Sequence, residues 1–334
     1  MARKKGDEVR VGITLDKEIL LRGLLEECNN FGVEIFPGTN VSDIEKTGEC
    51  VQVSGNGTPF KGTFVIAADG INSRIARILG FNKEREFMGT EIYVTWVMEG
   101  NIPVDPGSFN FIFTENGVFS IYPEYKKNFY HLTTFSSNTK LDFNASLDQF
   151  IKEDKTYAPW FTDAKKVTVI NCVSNLLTPI KEPFKDNTLL IGDAAWIMEF
   201  SNMAALCTGW QAGHAVTLAI ADKNLGKEGL KSYFEYWEKY FYGPRGEFDF
   251  GIGGGELHDY LTGEDLDYLV GLVKEPFPAT MNFFTFFSTI GRTYAELFPT
   301  IEEERPEVLE KLFKMRENMD EDRKKTVRVG FPNR

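Results

Sequence analysis

The sequence predicts an α/β protein that carries an inserted antiparallel sheet and ends in a helical region. Two short apolar strands, in "TFVIAADG" and "DNTLLIGDAAW", each run into small residues and an aspartate, roughly 120 residues apart. The stretch between them is aromatic and alternates with period two, whereas the stretch after them has helical periodicity. A strand buried on both faces reads as a continuous apolar run, and open α/β sheets bind ligands past the carboxyl ends of their strands. Both aspartates fall at that place.

The bulk numbers allow this organisation and exclude others. With 334 residues, 42% hydrophobic and 14% aromatic, the chain can fill two cores. Its 49 acidic and 37 basic side chains leave a net charge of -12, which disfavours a general affinity for nucleic acid or anionic membrane. The basic N-terminus "MARKKGDEVR" has no apolar segment behind it, and no run of about 18 apolar residues occurs, so neither a secretory signal nor a membrane span is expected and the expected location is the cytoplasm. Cys28, Cys50, Cys172 and Cys207 are scattered, and His131, His214 and His258 lack helical ligand spacing, so neither a disulfide framework nor a metal is expected.

Asp16 caps a first helix that stops near Gly32, with Ile19, Leu20, Leu24 and Leu25 as its apolar face. "VEIF" follows as a short strand. Segments around Val41 to Glu45 and Cys50 to Ser54, then the tight turn Asn56-Gly57, make a β-meander. Phe64 to Ala67 read as a buried strand, Asp69-Gly70 as a turn, and Asn72 or Ser73 as the cap of a short helix ended by Gly80. From Phe87 to Val173 the alternating aromatic strands predict an antiparallel sheet, interrupted by one helix near Leu147 to Lys152. Leu189 to Ile191 form the next buried strand, a long helix runs through "GWQAGHAVTLAIADKN", and the chain beyond Leu225 is mainly helical. "GIGGGE", Gly251 to Glu256, has no apolar strand before it and reads as a loop.

Two readings of the aspartates stand side by side. Asp193 is either the cap of the helix that follows or an acceptor for the hydroxyls of a ribose or polyol, to which Gly192 permits close approach. Asp69 is likewise either part of a plain Asp-Gly turn or a member of the same site.

The order of these features resembles the FAD-dependent oxidoreductases of the geranylgeranyl reductase and p-hydroxybenzoate hydroxylase superfamily. A helix opened by "LD", a strand, a meander, "VIAADGINSRIAR", an aromatic sheet with "SIYPEY", and "LLIGDAA" before a helix carry the resemblance over roughly residues 9 to 240. It implies an incomplete Rossmann-like FAD-binding domain in two pieces, 9–86 and 181–224, an antiparallel-sheet substrate domain at 87–180, and a helical C-terminal region at 225–334. It further implies that Gly192, Asp193, Ala194 and Ala195 approach FAD, with Asp193 on a ribityl hydroxyl, and that Asp69 and Gly70 lie near the pyrophosphate. Ala204 and Ala205 would lie in the turn facing the flavin pyrimidine. Trp96, Phe111, Phe113, Phe119 and Tyr122 would line an apolar substrate pocket, with alternation placing about half of them on one face. Nothing assigns the proton donors, for which Tyr130 and His131 are candidates.

The sequence departs from the family's pattern in three places. Phe200 and Met203 stand where a proline and a glycine are usual, and Cys207 near that turn is a packing thiol or a redox group. The family also opens with a ~30-residue βαβ unit carrying G-x-G-x-x-G, and nothing before Asp16 matches it. A separate polypeptide supplies that unit, the gene product is truncated, or the C-terminal helices have rebuilt the surface and FAD binding is lost. The expectation is a split FAD-dependent reductase acting by hydride transfer on an apolar substrate, with an electron donor such as NAD(P)H or ferredoxin; the phenylalanine-rich stretch "PFPATMNFFTFFSTIGRTYAELFP" covers the pocket, contacts a partner or makes peripheral membrane contact, and burial against the rest of the chain is the commonest fate of such a run. A flavin-dependent monooxygenase and a non-catalytic binding subunit are the alternatives.

Overall fold

The computed structural model describes residues 13–114, 116–195, 202–242, 257–275, 277 and 283–325. In chain order these form α1 (Lys17–Asn30), β1 (Val41–Thr47), β2 (Cys50–Gly55), β3 (Thr58–Gly62), β4 (Val65–Ala67) and α2 (Arg74–Ile78). There follow β5 (Phe87–Glu99), β6 (Asn110–Thr114), β7 (Gly117–Pro123), β8 (Phe129–Ser136), α3 (Phe143–Glu153) and β9 (Lys165–Leu177). The remainder is β10 (Phe184–Lys185), β11 (Thr188–Leu190), α4 (Met203–Ala221), α5 (Lys231–Trp237), α6 (Leu257–Tyr260), α7 (Gly263–Leu272), α8 (Phe283–Glu304) and α9 (Pro306–Lys325).

The two apolar strands that flank the insert pair with each other. β4 runs parallel to β11, with Leu189 opposite Ile66, and β10 closes the far edge of β11. Leu189 and Leu190 are fully buried because α4 and α5 cover them. α4 approaches closely through Ala212, Ala215 and Ala219, and α5 adds Tyr233 and Trp237, whose indole N–H donates to the Ile180 carbonyl at 2.9 Å. Leu230 and Phe241 join this core from beyond residue 225. The meander β1-β2-β3 turns at Asn56 (φ 50°) and Gly57 (φ 82°), the pair of left-handed residues that a tight hairpin requires.

The insert is a five-stranded antiparallel sheet of order β6-β7-β8-β5-β9. One of its faces is covered by α3, whose Leu147 and Phe150 pack on Val94, Trp96, Phe119, Ile121 and Leu132. Phe150 stacks on Phe119 with ring centroids 4.1 Å apart, and Trp96 donates to Asn144 Oδ1 at 2.9 Å. A third core gathers Leu261, Leu266, Leu269, Ile301, Val308 and Leu309 from the C-terminal helices.

One expectation for the N-terminal segment is corrected. "VEIF", residues 33–36, forms no strand: Val33, Ile35 and Phe36 are exposed, and among the described residues no strand lies beside them to complete a ladder. α1 forms as expected, since the Asp16 carboxylate accepts from the N–H groups of Glu18 and Ile19 at 2.9 and 3.1 Å. Its apolar face is nevertheless uncovered; the helix buries no residue. "GIGGGE", Trp196, Phe200 and most of "PFPATMNFF" lie outside the described residues.

The C-terminal helices are held by a charge cluster. Asp265 is 1% exposed and takes Arg305 and Lys311 at 2.7 and 2.6 Å, while it closes a capping box with Thr262. Desolvation pushes its carboxyl upward, but the bonds from Lys311 and Thr262 outweigh it and bring the pKa down to about 2. Asp265→Ala removes the capping box and two ion pairs whose basic partners are about one-third exposed, so it should destabilise these helices by about 1–2 kcal/mol. A group with a depressed folded pKa stabilises above its unfolded value of about 4 and loses that effect as pH falls toward about 2. Urea titrations of wild type and variant at pH 7 and pH 2.5 check this; the gap between them should narrow at the lower pH.

Candidate functional site

The parallel pairing sets two loops side by side. The Ile191 N–H donates to the Ala67 carbonyl at 3.0 Å, so Asp69-Gly70 and Gly192 to Ala195 leave the sheet at adjacent strand ends. Gly70 (φ 80°) and Gly192 (φ 56°) both need the left-handed backbone that glycine adopts without strain. Among the described residues, a side chain added at Gly70 would meet nothing within 4 Å, and one at Gly192 would touch Ala205 at 3.9 Å.

The two aspartates differ in how fully they are used. Asp69 is consumed locally: its carboxylate accepts from Ser73 Oγ at 2.7 Å and from the N–H groups of Arg74 and Ile75 at 2.7 and 3.1 Å, which orders the start of α2. Asp193 makes no hydrogen bond among the described residues. Its side chain reaches solvent, yet the surrounding protein crowds the carboxyl enough that desolvation raises its pKa, with the charge of Lys17 pulling the other way. It is an acceptor left over at the mouth of the loop pair.

Gly192, Ala194 and Ala195 are buried, and Ala204 is buried in the first turn of α4. Thr208 joins these parts, accepting from the Gly192 N–H at 3.2 Å and donating to the Ala204 carbonyl at 2.8 Å while fully buried itself. Neither Thr208 nor Lys17 was flagged in the sequence, because a mid-helix threonine and a lysine after an N-cap carry no signal of their own. Leu206, Cys207, Trp210, Gln211 and Tyr236 line a cavity of about 400 Å³ on the outer side of α4, which puts Cys207 beside apolar neighbours.

The inserted sheet turns its second face to the site. That face bears Thr95 and Thr133, whose hydroxyls lie 2.7 Å apart, and Tyr122 and His131, which lie 3.2 Å apart from hydroxyl to Nδ1. Phe111 and Phe113 are on the same face and partly exposed, and Phe109 stacks on Tyr122 at 4.5 Å. Trp96 and Phe119 are corrected from pocket residues to core: they are 1% and 0% exposed on the opposite face, under α3. Tyr130 points to that core as well, whereas His131 faces the open side.

The inserted sheet is tied to the α/β unit. Asn72, just after Gly70, donates to the Val173 carbonyl at 3.1 Å and accepts from Asn175 at 2.9 Å. At the other end the Tyr125 hydroxyl lies close enough to the Asp16 carboxylate that the carboxylate raises the Tyr125 pKa, and Asp16 is next in sequence to the Lys17 that acts on Asp193. Near the first tie, Tyr93 donates to the buried Glu91, and burial followed by that carboxylate raises the Tyr93 pKa well above its ordinary value. The His131 pKa is lowered by burial, against the pull of Glu124. No group of three or more His, Cys, Asp or Glu among the described residues is placed to hold a metal, and no described helix is long and apolar enough to cross a membrane.

No protein-family model matches the chain. It is 26% identical over 243 residues to digeranylgeranylglycerophospholipid reductase 2 of Methanosphaera stadtmanae, covering 66% of this chain and 58% of that protein. It is 24% identical over 285 residues to the digeranylgeranylglycerophospholipid reductase of Methanospirillum hungatei JF-1, covering 81% and 69%. Among solved structures, a geranylgeranyl bacteriochlorophyll reductase-like protein from Thermoplasma acidophilum aligns over 94% of this chain and 78% of its own, with a TM-score of 0.68 and 18% identity. A flavin-dependent brominase aligns over 86% and 76% with a TM-score of 0.59 and 16% identity. The resemblance to the geranylgeranyl-reductase-type superfamily of FAD-dependent oxidoreductases thus holds in sequence and in fold.

Thr208 generates a test of the loop geometry. Thr208→Val keeps the shape but leaves the buried Gly192 N–H without a partner, so the unfolding free energy should fall by about 1–3 kcal/mol in denaturant titration. Thr208→Ser, which keeps the hydroxyl, should retain most of it.

Proposed function

We propose that the chain, which has the fold of these oxidoreductases, is an FAD-dependent reductase, or the larger part of one, acting on double bonds of an apolar, isoprenoid-type substrate. The carrying observation is the carboxylate of Asp193, which makes no hydrogen bond among the described residues and is set on a positive-φ glycine at the end of a parallel strand pair. A carboxylate accepts from hydroxyls and repels phosphate, so it suits the ribityl chain of FAD. Gly192, Ala194 and Ala195 let the cofactor approach the backbone, Ala204 and Ala205 offer small residues at the start of α4, and Asp69 shapes the turn in which Gly70 faces the pyrophosphate. FAD, when bound, supplies hydride transfer at its N5.

The chain's own residues then bind, orient and exclude water. The open face of the inserted sheet would receive the substrate, with Phe111, Phe113 and Tyr122 as its apolar wall. The names of the Methanosphaera and Methanospirillum relatives support a lipid carrying geranylgeranyl chains as that substrate. Electrons would come from a donor such as NAD(P)H or ferredoxin, and the enzyme would work in the cytoplasm with peripheral contact to the membrane that holds such lipids. A further polypeptide segment or subunit would complete the FAD domain, a reading supported by the outer edge of β4, which has no partner strand among the described residues, and by the exposed apolar residues of α1 and α4.

The visible absorption spectrum of the purified protein tests the cofactor assignment. Flavin bands should appear on purification or after FAD is added, and Asp193→Ala should weaken flavin retention at least tenfold with an unchanged circular dichroism spectrum. Unaltered FAD affinity in that variant would remove Asp193 from the site, and a protein that takes up no FAD with any partner would favour the non-catalytic alternative.

A further inference from the structure

The reductase reading leaves one requirement without a residue. Saturating a carbon–carbon double bond adds a hydride to one carbon and a proton to the other. The hydride brings both electrons from reduced flavin, which the external donor has reduced, so the proton must come from an acid on the protein. We propose that Tyr122 is this acid, recharged by His131, with Glu124 as the positioning residue of the pair; the proposal rests on the reductase reading.

Three observations carry it. First, the pair lies on the sheet face opposite α3 and is only partly buried: Tyr122 and His131 are paired across β7 and β8, and the hydroxyl of Tyr122 lies 3.2 Å from His131 Nδ1. Second, the cluster is ordered from all sides. Phe109 stacks on the Tyr122 ring at 4.5 Å, and Glu124 Oε1 stands 3.8 Å from His131 Nε2. Third, the imidazole joins a sheltered acid to a source of protons. His131 and Glu124 are 20% and 25% exposed, so water reaches the Nε2 side while the tyrosine sits among aromatic rings. Opposite His131, β5 presents Val97 and β7 presents Tyr122, and among the described residues Glu124 is the charged group that acts on the ring.

The proton accounting closes. The Tyr122 O–H bond breaks as the new C–H bond forms, leaving a phenolate. The Nδ1–H of the imidazolium reprotonates the phenolate. Solvent then restores the imidazolium, whose positive charge Glu124 favours. One proton leaves solvent for each hydride delivered.

The test uses the flavin-loaded protein, with any subunit it needs, reduced by dithionite and mixed without oxygen with detergent-dispersed digeranylgeranylglycerophospholipid. Wild type should reoxidise its flavin, and Tyr122→Phe should do so about 100-fold more slowly with unchanged flavin binding and dithionite reduction. In flavin-free protein, Glu124→Gln should lower the His131 pKa seen by NMR, and the alkaline limb of the reoxidation rate should move to lower pH by the same amount, with Glu124→Asp restoring both. Reoxidation at the wild-type rate in Tyr122→Phe, or a pH profile that ignores the NMR shift, would overturn the proposal while sparing the reductase reading. Wild-type protein whose reduced flavin is untouched by the lipid would overturn both.

Discussion

The parallel contact between β4 and β11 is the constraint on which the site depends. It joins strands that are far apart in sequence, so the chain between them must leave and return at nearly the same point. It does so through a small zipper. The Thr178 N–H donates to the Glu86 carbonyl at 3.0 Å, the Glu86 N–H donates to Thr178 Oγ1 at 3.0 Å, and Arg85 Nε donates to the Thr178 carbonyl at 2.5 Å. Closing a long loop costs only slowly more as it lengthens, and an insert that folds on its own core removes most of that cost. The inserted sheet does fold on its own core, under α3, and β4 and β11 therefore meet with their two loops in register.

The same zipper orients the insert. Because β5 and β9 are fixed at their ends by residues 86 and 178, and Asn72 grips Val173 and Asn175, the sheet cannot rotate to offer either face to the α/β unit. Its apolar face is already used by α3, so a ligand would have to meet the other face, where Phe111 and Phe113 are exposed and Tyr122 and His131 partly so, while Val97, Val118, Ser120 and Thr133 are buried. The consequence is a wall that mixes aromatic area with groups able to pass a proton. A core face has no room for such groups, since buried polar atoms without partners are costly.

Much of this was legible in the sequence, and the parts that were not have physical reasons. Continuous apolar runs and period-two aromatics announced β4, β11 and the inserted sheet, and the Asn56-Gly57 turn and the Asp16 cap were readable because each residue does its work within a few positions of itself. "VEIF" was misread because strand composition describes a side chain's fit to a sheet, and a strand still needs a neighbour for its backbone. Trp96 and Phe119 were grouped with Phe111, Phe113 and Tyr122 because aromatic identity says nothing about which face the register selects. Thr208 and Lys17 act at a distance in sequence, on Gly192 and Asp193, and no local pattern encodes that. The two aspartates looked alike on paper, and only their hydrogen bonds separate the one that caps α2 from the one that is spare.

The surfaces around the spare carboxylate make a demand of their own. A helix apolar on all sides normally lies in a core, and α4 is of that kind: its alanine face is buried, while Met203, Leu206, Trp210, Leu218 and Ile220 are exposed on the other sides. α1 is a 14-residue helix with no buried side chain, at a length where an isolated helix is marginal in water. β4 presents an unpaired edge beside Ile66, and residues 33–36 have strand composition without a ladder. A cover that met these needs together would place a strand parallel to β4 and an apolar helix against the outer side of α4. It would then end above the loops of Gly70 and Gly192, where the N-terminus of that helix would bring backbone N–H groups to an anion. Asp193 repels a phosphate, so such a cover would divide the labour chemically, with the carboxylate taking the hydroxylated part of the cofactor and the added helix its charged part.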